Sequence, residues 1–185
     1  VSALAEEQAK RFNDNVVYLP NGADVSRIQR ANGKVVRKRH NLSQNDIVVS
    51  LIGLIDSPYL IEAVLEAEKE IPNLKCLLVG ESDFLRSELN KVSEKTLMYV
   101  GAVPYEEVAD YFAATDIGIY PVTCSPQDDG RSPLKIFEYT AAGCPVVCPR
   151  IREVRRLGFS NVVYADPGSS SFASGIVEAY ETPVS

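Results

Sequence analysis

The sequence has few of the cysteines and histidines from which metal sites are built, and it lacks long apolar runs. It holds four cysteines and a single histidine, His40, and no two of the cysteines form a C-x-x-C pair. These spacings argue against a zinc site, which needs clustered sulfur and nitrogen ligands. No apolar run approaches the ~20 residues that a membrane-spanning helix requires.

Two further absences exclude classes of function. There is no G-x-G-x-x-G triplet, so the sequence lacks the fingerprint of dinucleotide-binding enzymes. The net charge of −6 argues against a general nucleic-acid-binding protein.

The start of the chain lacks the features of a secretion signal. Residues 1–11 carry acidic side chains and no apolar core segment, so we predict no signal peptide. The chain has no initiator Met and begins inside a helical pattern, so we expect it to be a piece of a longer protein. Three of the cysteines, Cys76, Cys144 and Cys148, lie in or beside apolar runs. We predict buried, reduced thiols in a cytoplasmic protein.

Strand and helix patterns alternate through most of the 185 residues. After a helix at 2–12, a short strand at 15–19 and a turn at 20–24, the polar stretch 25–45 is typical of a solvated linker. The predicted strands that follow are 47–52, 74–79, 96–100, 117–122, 146–148 and 161–164. The predicted helices are 59–71, 84–92, 104–114, 133–142, 152–157 and 170–180. Short apolar strands joined by helices predict an α/β fold with a doubly wound parallel sheet, a Rossmann-like three-layer sandwich.

Three of the predicted strands are followed at once by a glycine: Gly53, Gly80 and Gly101. Ligands of such sheets bind beyond the carboxyl ends of the strands, and glycine lets the backbone approach a ligand closely. An ordinary turn explains any one of these glycines, but all three together predict the rim of a binding site.

The helix after residue 132 carries the second part of this site. Ser132 is predicted as its N-cap after a polar loop at 128–131, and Leu134, Phe137 and Ala141 form an apolar face. The free amides of the first turn favour an anion such as phosphate. Lys135 places a cation there, where the helix dipole disfavours one unless an anion lies nearby.

The residues from 133 to 147 agree with a family signature over fifteen positions. Pro133, Lys135, Glu138, Ala141, Gly143, Pro145, Val146 and Val147 fit P-x-K-x-x-E-x-x-A-x-G-x-P-V-V. The chain therefore resembles the C-terminal, nucleotide-sugar-binding domain of retaining glycosyltransferases with two Rossmann-like domains (the GT-B architecture, glycosyltransferase group 1).

The resemblance implies the donor-binding half of an enzyme that moves a sugar from a nucleoside diphosphate sugar to an acceptor. It implies no metal and no cofactor apart from a donor of the UDP or GDP type, and the sequence has no D-x-D motif. Asp129, Lys135 and Glu138 become the candidate catalytic residues, with Glu138 on the ribose. The candidate donor-binding residues are Gly53, Gly80, Gly101, Val103, Arg131, Ser132, Leu134, Lys135 and Glu138.

The resemblance also implies a division of the chain. The P-N-G-x-D sequence at 20–24 is similar to the end of the family's first domain, although a plain turn explains it equally simply. Residues 1–24 would then be a remnant of the acceptor domain, 25–45 a linker and 46–185 the donor domain. With the acceptor domain almost wholly missing, we expect donor binding without transfer. The basic residues of 34–40 leave peripheral contact with the inner face of the membrane as an alternative.

The sequence departs from the family pattern at two places. The first acid of the signature falls at Gly130, with Asp129 beside it, and the usual Arg and Lys after the first strand's glycine are absent. Arg131 and Lys135 are predicted to compensate. The alternatives are a non-catalytic nucleotide-binding module of the same fold and a nucleotide-sugar epimerase-like enzyme. Asp129 can also be an ordinary loop acid.

Overall fold

The computed structural model describes residues 2–54, 57–82 and 95–182. The strands are β1 (Ile47–Ile52), β2 (Leu74–Val79), β3 (Leu97–Gly101), β4 (Ile117–Ile119), β5 (Val146–Cys148) and β6 (Val162–Tyr164). The helices of the described part are α1 (Ala3–Lys10), α2 (Val25–Gln29), α3 (Gly33–Arg39), α4 (Leu60–Ala67), α5 (Tyr105–Ala114), α6 (Pro126–Asp129), α7 (Leu134–Ala141), α8 (Arg152–Leu157) and α9 (Ser169–Glu181). The predicted helix at 84–92 lies outside the described residues.

The six strands form one parallel sheet in the order β3-β2-β1-β4-β5-β6. The chain moves outward from β1 to β3, then returns to the other side of β1 and continues to β6. The predicted doubly wound, Rossmann-like fold is confirmed. Its switch point lies between β1 and β4, the place where such sheets bind ligands.

Both faces of the sheet are covered by helices. Side chains alternate along β1, so that Val49 and Leu51 pack towards α4 and α9, whereas Val48 and Ile52 pack towards α5 and α7. All four side chains are buried. This double burial explains why the strands are nearly continuous apolar runs rather than alternating polar and apolar ones.

The hydroxyl of Tyr139 forms hydrogen bonds with the backbone of β1 where β1 and β4 separate. These strands pair only at Val49 with Ile117 and at Ser50 with Gly118. Beyond that point the Ile52 amide donates to the Tyr139 hydroxyl at 3.1 Å, and the hydroxyl donates to the Ser50 carbonyl at 2.8 Å. Burial raises the pKa of Tyr139, so the phenol keeps the proton that it donates.

Gly118 makes room for this tyrosine. A Cβ added at Gly118 would lie 2.4 Å from the Tyr139 ring, far inside van der Waals contact. The buried face of α7 is therefore formed by Ile136 and Tyr139, while Leu134 is 51% exposed. The predicted apolar face through Leu134, Phe137 and Ala141 is wrong, because the tyrosine fills the space that glycine leaves on β4.

The stretch 25–45 is folded, so the prediction of a solvated linker is wrong. Asp24 caps α2 by accepting from the Arg27 amide at 3.0 Å. The stretch has few apolar side chains, but three of them reach the core. Ile28, Val36 and Leu42 are buried on the face of the sheet that α5 covers. The high share of polar residues concealed these helices, since only one side chain of each helix is buried.

The residues before this stretch form α1 and an irregular extended segment. The predicted strand at 15–19 has no partner strand among the described residues and is not regular, with Val17 exposed. Glu153 of α8 holds the segment: its carboxylate accepts from the Ala3 amide at 2.6 Å and from the Tyr18 hydroxyl. Whether residues 1–24 belong to an acceptor domain stays a prediction.

Replacing Tyr139 by Phe tests the role of its hydroxyl. The Ile52 amide would stay buried without its partner, and we expect a loss of about 1–3 kcal/mol in the free energy of unfolding. Urea denaturation followed by circular dichroism measures this value. Tyr180→Phe is the matched control, because Tyr180 is 40% exposed and its change should fall within about 0.5 kcal/mol. Equal midpoints for both variants would contradict the assignment.

Candidate functional site

The structure brings the three predicted rim glycines side by side at the carboxyl end of the sheet. The Gly53 amide donates to the Val79 carbonyl at 2.7 Å, and the Gly80 amide donates to the Gly101 carbonyl at 2.9 Å. All three have positive φ, with values of 129°, 143° and 77° in chain order. A Cβ at Gly80 would lie 1.8 Å from the Gly53 carbonyl oxygen, so no other residue fits there.

Lys135 reaches over this row from the first turn of α7. Its Cε atom lies 3.1 Å from the position that a Cβ on Gly53 would take. Its Nζ pairs with the Glu138 carboxylate at 2.9 Å and lies 5.3 Å from the centre of the Phe112 ring. Both charged side chains are partly exposed, at 28% and 22%. The ion pair therefore lies at the surface, where an anionic ligand can compete for the lysine.

The tip of α7 differs from the prediction by one residue. Pro133 is the N-cap, and Ser132 lies just before it. The Ser132 hydroxyl is buried without a hydrogen-bond partner in the described structure, while its carbonyl accepts from the Asn21 side chain at 2.7 Å. Ser132 is thus not the helix cap, because Pro133 occupies that position without a side-chain hydrogen bond.

A cavity of about 280 Å³ opens between the ends of β1 and β4, at the switch point of the sheet. Three of the predicted site residues line it: Gly53, Arg131 and Lys135. The other described lining residues are Leu51, Ile52, Leu54, Pro58, Ile119, Tyr120, Val122, Thr123, Ser125, Gln127 and Asp128. The cavity therefore combines apolar walls with two cations and one carboxylate.

Glu138 faces a second, smaller cavity on the other side of Lys135. This space of about 40 Å³ lies between α2, α5 and α7, and Arg27, Tyr105 and Phe112 are among its lining residues. In the described part of the chain, neither cavity is lined by Gly80, Gly101, Val103, Ser132 or Leu134, although Gly80 adjoins Gly53 and Gly101 adjoins Gly80. Lys135 and Glu138 thus form the boundary between the two spaces.

The first two residues of the predicted loop 128–131 are the last residues of α6. Ser125 and Asp128 form a capping box at the start of this helix, in which each side chain accepts from the other residue's amide. Burial raises the pKa of Asp128, but hydrogen bonds from Ser125 and Thr123 and the charge of Arg131 outweigh it, so the net shift is downward. Asp128 is therefore an ionised, 7% exposed carboxylate beside the cavity.

Asp129, which we predicted as a catalytic acid, points to α8. Its carboxylate accepts from the Arg152 amide at 2.7 Å, which caps the first turn of that helix. Asp129 is not among the described residues that line the cavity. Its catalytic role stays a prediction, and the structure gives this carboxylate a capping contact.

Sequence reasoning missed Asp128 and Tyr120 as residues of the site. A signal for the first was present, because Ser125-Pro-Gln-Asp128 has the S-x-x-D spacing of a capping box and a proline at the first helical position. Tyr120 carries no such signal, since it follows a short apolar strand and reaches the cavity only through the fold.

No three side chains among His, Cys, Asp and Glu cluster closely enough to hold a metal ion within residues 2–54, 57–82 and 95–182. In the same ranges, none of the helices has the length and apolar character needed to cross a membrane.

Thiol titration tests which of the four cysteines are buried and which is exposed. Cys76, Cys144 and Cys148 are buried as predicted, and burial raises the pKa of each to about 12, whereas Cys124 is exposed. We expect one of the four thiols to react with a disulfide reagent in the folded protein and all four in denaturant. Burial and the nearby Asp128 raise the pKa of Cys124. The rate of its reaction should therefore continue to rise with pH above the usual pKa of a thiol. Cys124→Ser should abolish the native reaction, and a second reactive thiol in the folded protein would contradict the structure.

The fold is shared with solved glycosyltransferases. A glycosyltransferase from Rickettsia africae superimposes with a TM-score of 0.73 at 14% identity, covering 98% of this chain and 52% of that one. Sucrose-phosphate synthase from Thermosynechococcus elongatus gives 0.69 at 20% identity, over 99% and 49% of the two chains. Anabaena HepE in complex with UDP-glucose gives 0.64 at 20% identity, over 89% and 48%. The chain thus spans about half the length of these proteins.

Sequence comparison gives the family. A curated relative from Bacillus subtilis (strain 168), "Putative teichuronic acid biosynthesis glycosyltransferase TuaH", is 34% identical over 105 residues, which are 55% of this chain and 26% of the relative. The family model "Glycosyl transferases group 1" matches residues 53–182, from the first rim glycine to the end of α9. With this match over most of its length, the chain belongs to the group 1 glycosyltransferases.

Proposed function

We propose that this chain is the donor-binding half of a retaining glycosyltransferase. It binds a nucleoside diphosphate sugar at the carboxyl end of the sheet, and a sugar passes from there to a glycan, lipid or other acceptor. The acceptor site belongs to a second domain that this chain does not supply, so the chain alone binds the donor without transferring its sugar.

One arrangement carries the proposal. Gly53 and Gly80 leave the ends of β1 and β2 without side chains, and the first turn of α7 faces the same space with Lys135 lying over Gly53. Free amides, a cation and an absence of Cβ atoms together suit a diphosphate. The cavity of about 280 Å³, which Gly53 and Lys135 line, has room for the sugar beside the diphosphate.

The residues of the site divide the work of binding and leaving-group stabilisation. The amides of Leu134 and Lys135 and the Lys135 ammonium hold the diphosphate, and they stabilise its growing charge as the glycosidic bond breaks. Glu138 accepts hydrogen bonds from the ribose. The 2.9 Å pair between Lys135 and Glu138 supports these roles, because it holds an ammonium and a carboxylate side by side, as the adjacent diphosphate and ribose of a donor require.

Relatives of the same fold support a nucleotide ligand. Anabaena HepE was solved in complexes with UDP and with UDP-glucose, and trehalose-phosphate synthase from Burkholderia xenovorans is named as UDP-forming. We propose a donor of the UDP or GDP type for this chain, with no other cofactor and no metal.

A non-catalytic nucleotide-binding module is the second candidate, and two observations favour it. Gly130 occupies the position of the first acid of the signature, and the neighbouring Asp129 caps α8. Leu54 follows the first rim glycine, where the family has a cation. Both candidates share the nucleotide site and differ in whether the joined domains transfer a sugar.

We also propose a cytoplasmic location. The buried Cys76, Cys144 and Cys148 are unpaired, which suits a reducing compartment. The exposed Lys34 and Lys38 of α3 give the chain basic groups for contact with an anionic membrane surface.

Thermal denaturation with UDP, GDP, ADP and CMP tests the proposal. A nucleotide at 100 times its dissociation constant should add about 2.7 kcal/mol to the stability. We expect UDP or GDP to raise the midpoint most. Lys135→Ala should weaken binding about tenfold, because it removes a charge-assisted hydrogen bond to the diphosphate.

Lys69→Ala is the matched control, since Lys69 is exposed beyond the end of α4, outside both cavities. It should leave the nucleotide response unchanged. A flat response to all four nucleotides would overturn the proposal, and sugar transfer by this chain alone would overturn the division of labour between two domains.

A further inference from the structure

The cavity at the switch point has three ionisable groups that carry charge at neutral pH among its described lining residues. They are Asp128, Arg131 and Lys135. Lys135 also forms an ion pair with Glu138, which does not line this cavity. Arg131 lines the cavity and pairs with its carboxylate, Asp128, and the Arg131 side chain is 43% exposed. The residues around Arg131 therefore determine how its guanidinium is presented to an anion in the cavity.

Asp128 anchors this arginine by one of its two carboxylate oxygens. Oδ2 accepts three hydrogen bonds, from Thr123 Oγ1 at 2.9 Å, Ser125 Oγ at 2.8 Å and the Ser125 amide at 3.2 Å. Oδ1 lies 3.5 Å from a guanidinium nitrogen of Arg131. The carboxylate is thus fixed by the capping box and the threonine, and it presents its remaining oxygen to the arginine.

Tyr120 follows the end of β4 and lines the cavity together with Arg131. Burial raises the pKa of Tyr120 and outweighs the lowering effect of the nearby Arg131, so the net shift is upward. The phenol is therefore neutral, so it can orient the guanidinium of Arg131 without adding a charge to the cavity. A guanidinium has five N–H donors in a rigid fork, so it can contact a carboxylate, a phenol and an anion at the same time.

We propose that Arg131 is the anion-binding residue of this cavity and that Asp128 and Tyr120 are its positioning residues. This inference rests on the proposed function, and the anion is the diphosphate of the donor. Arg131 then takes over from the two cations that are absent after Gly53. Asp128, the acid of the signature region that reaches the cavity, acts through Arg131 instead of contacting the sugar.

Isothermal titration calorimetry separates diphosphate binding from nucleoside binding. UDP and GDP are titrated into the full chain, each beside its own nucleoside, uridine or guanosine. Arg131→Ala should weaken the better diphosphate ligand at least tenfold and leave the affinity for its nucleoside unchanged. Arg155→Ala is the matched control, because Arg155 is exposed on α8 and outside both cavities. It should change neither affinity.

A double-mutant cycle tests the positioning role. Asp128→Asn alone should weaken diphosphate binding about threefold to tenfold, but it should have no further effect in the Arg131→Ala background. A merely structural role of Asp128 would weaken binding equally in both backgrounds. Tyr120→Phe repeats the test without touching the capping box, so the result does not depend on the folding of the Asp128 variant.

The outcomes distinguish this inference from the proposed function. If the unmodified chain binds neither UDP nor GDP, both are overturned. If it binds one of them and Arg131→Ala binds as tightly, the role of Arg131 is wrong and the proposed function stands. If Arg131→Ala weakens binding but Asp128→Asn and Tyr120→Phe add to it independently, the positioning roles are wrong.

Discussion

The hydroxyl of Tyr139 is the contact on which the geometry of the site depends. It joins α7 to the last residue of β1 at the point where β4 no longer provides hydrogen bonds. Lys135 lies one turn before it on the same helix, and the position of Lys135 over Gly53 follows from this attachment. Where neighbouring strands separate, backbone groups lose their partners, and here a side chain of α7 satisfies them.

The sequence predicted the parts of the fold that depend on local patterns. Short apolar runs ending at Gly53, Gly80 and Gly101 became neighbouring parallel strands, because a strand buried on both faces needs apolar residues throughout. The start of α7 was predicted to within one residue from Pro133 and the residues around it. The row of glycines followed directly, since the carboxyl ends of parallel strands share one edge of the sheet.

Features that depend on distant residues were not predictable in the same way. The buried face of α7 is set by Gly118, a residue of another strand, which leaves room for Tyr139 rather than for Leu134. The helices α2 and α3 are held by single buried side chains such as Ile28 and Val36 in an otherwise polar stretch. Periodicity is weak in such segments, and tertiary packing decides their structure.

The segment before α2 supports the edge of the site from outside the sheet. Leu4 packs against Gly130, with its Cδ2 atom 3.3 Å from the position of an added Cβ, and Asn21 donates to the Ser132 carbonyl. Arg131 lies between these two supports. A shortened protein that began at Val25 would keep the six described strands and the whole family-matched region. It would lose the contacts of Leu4 and Asn21 with the residues on either side of this arginine. The contacts that support the edge of the cavity therefore begin further upstream in the chain than the folded sheet does.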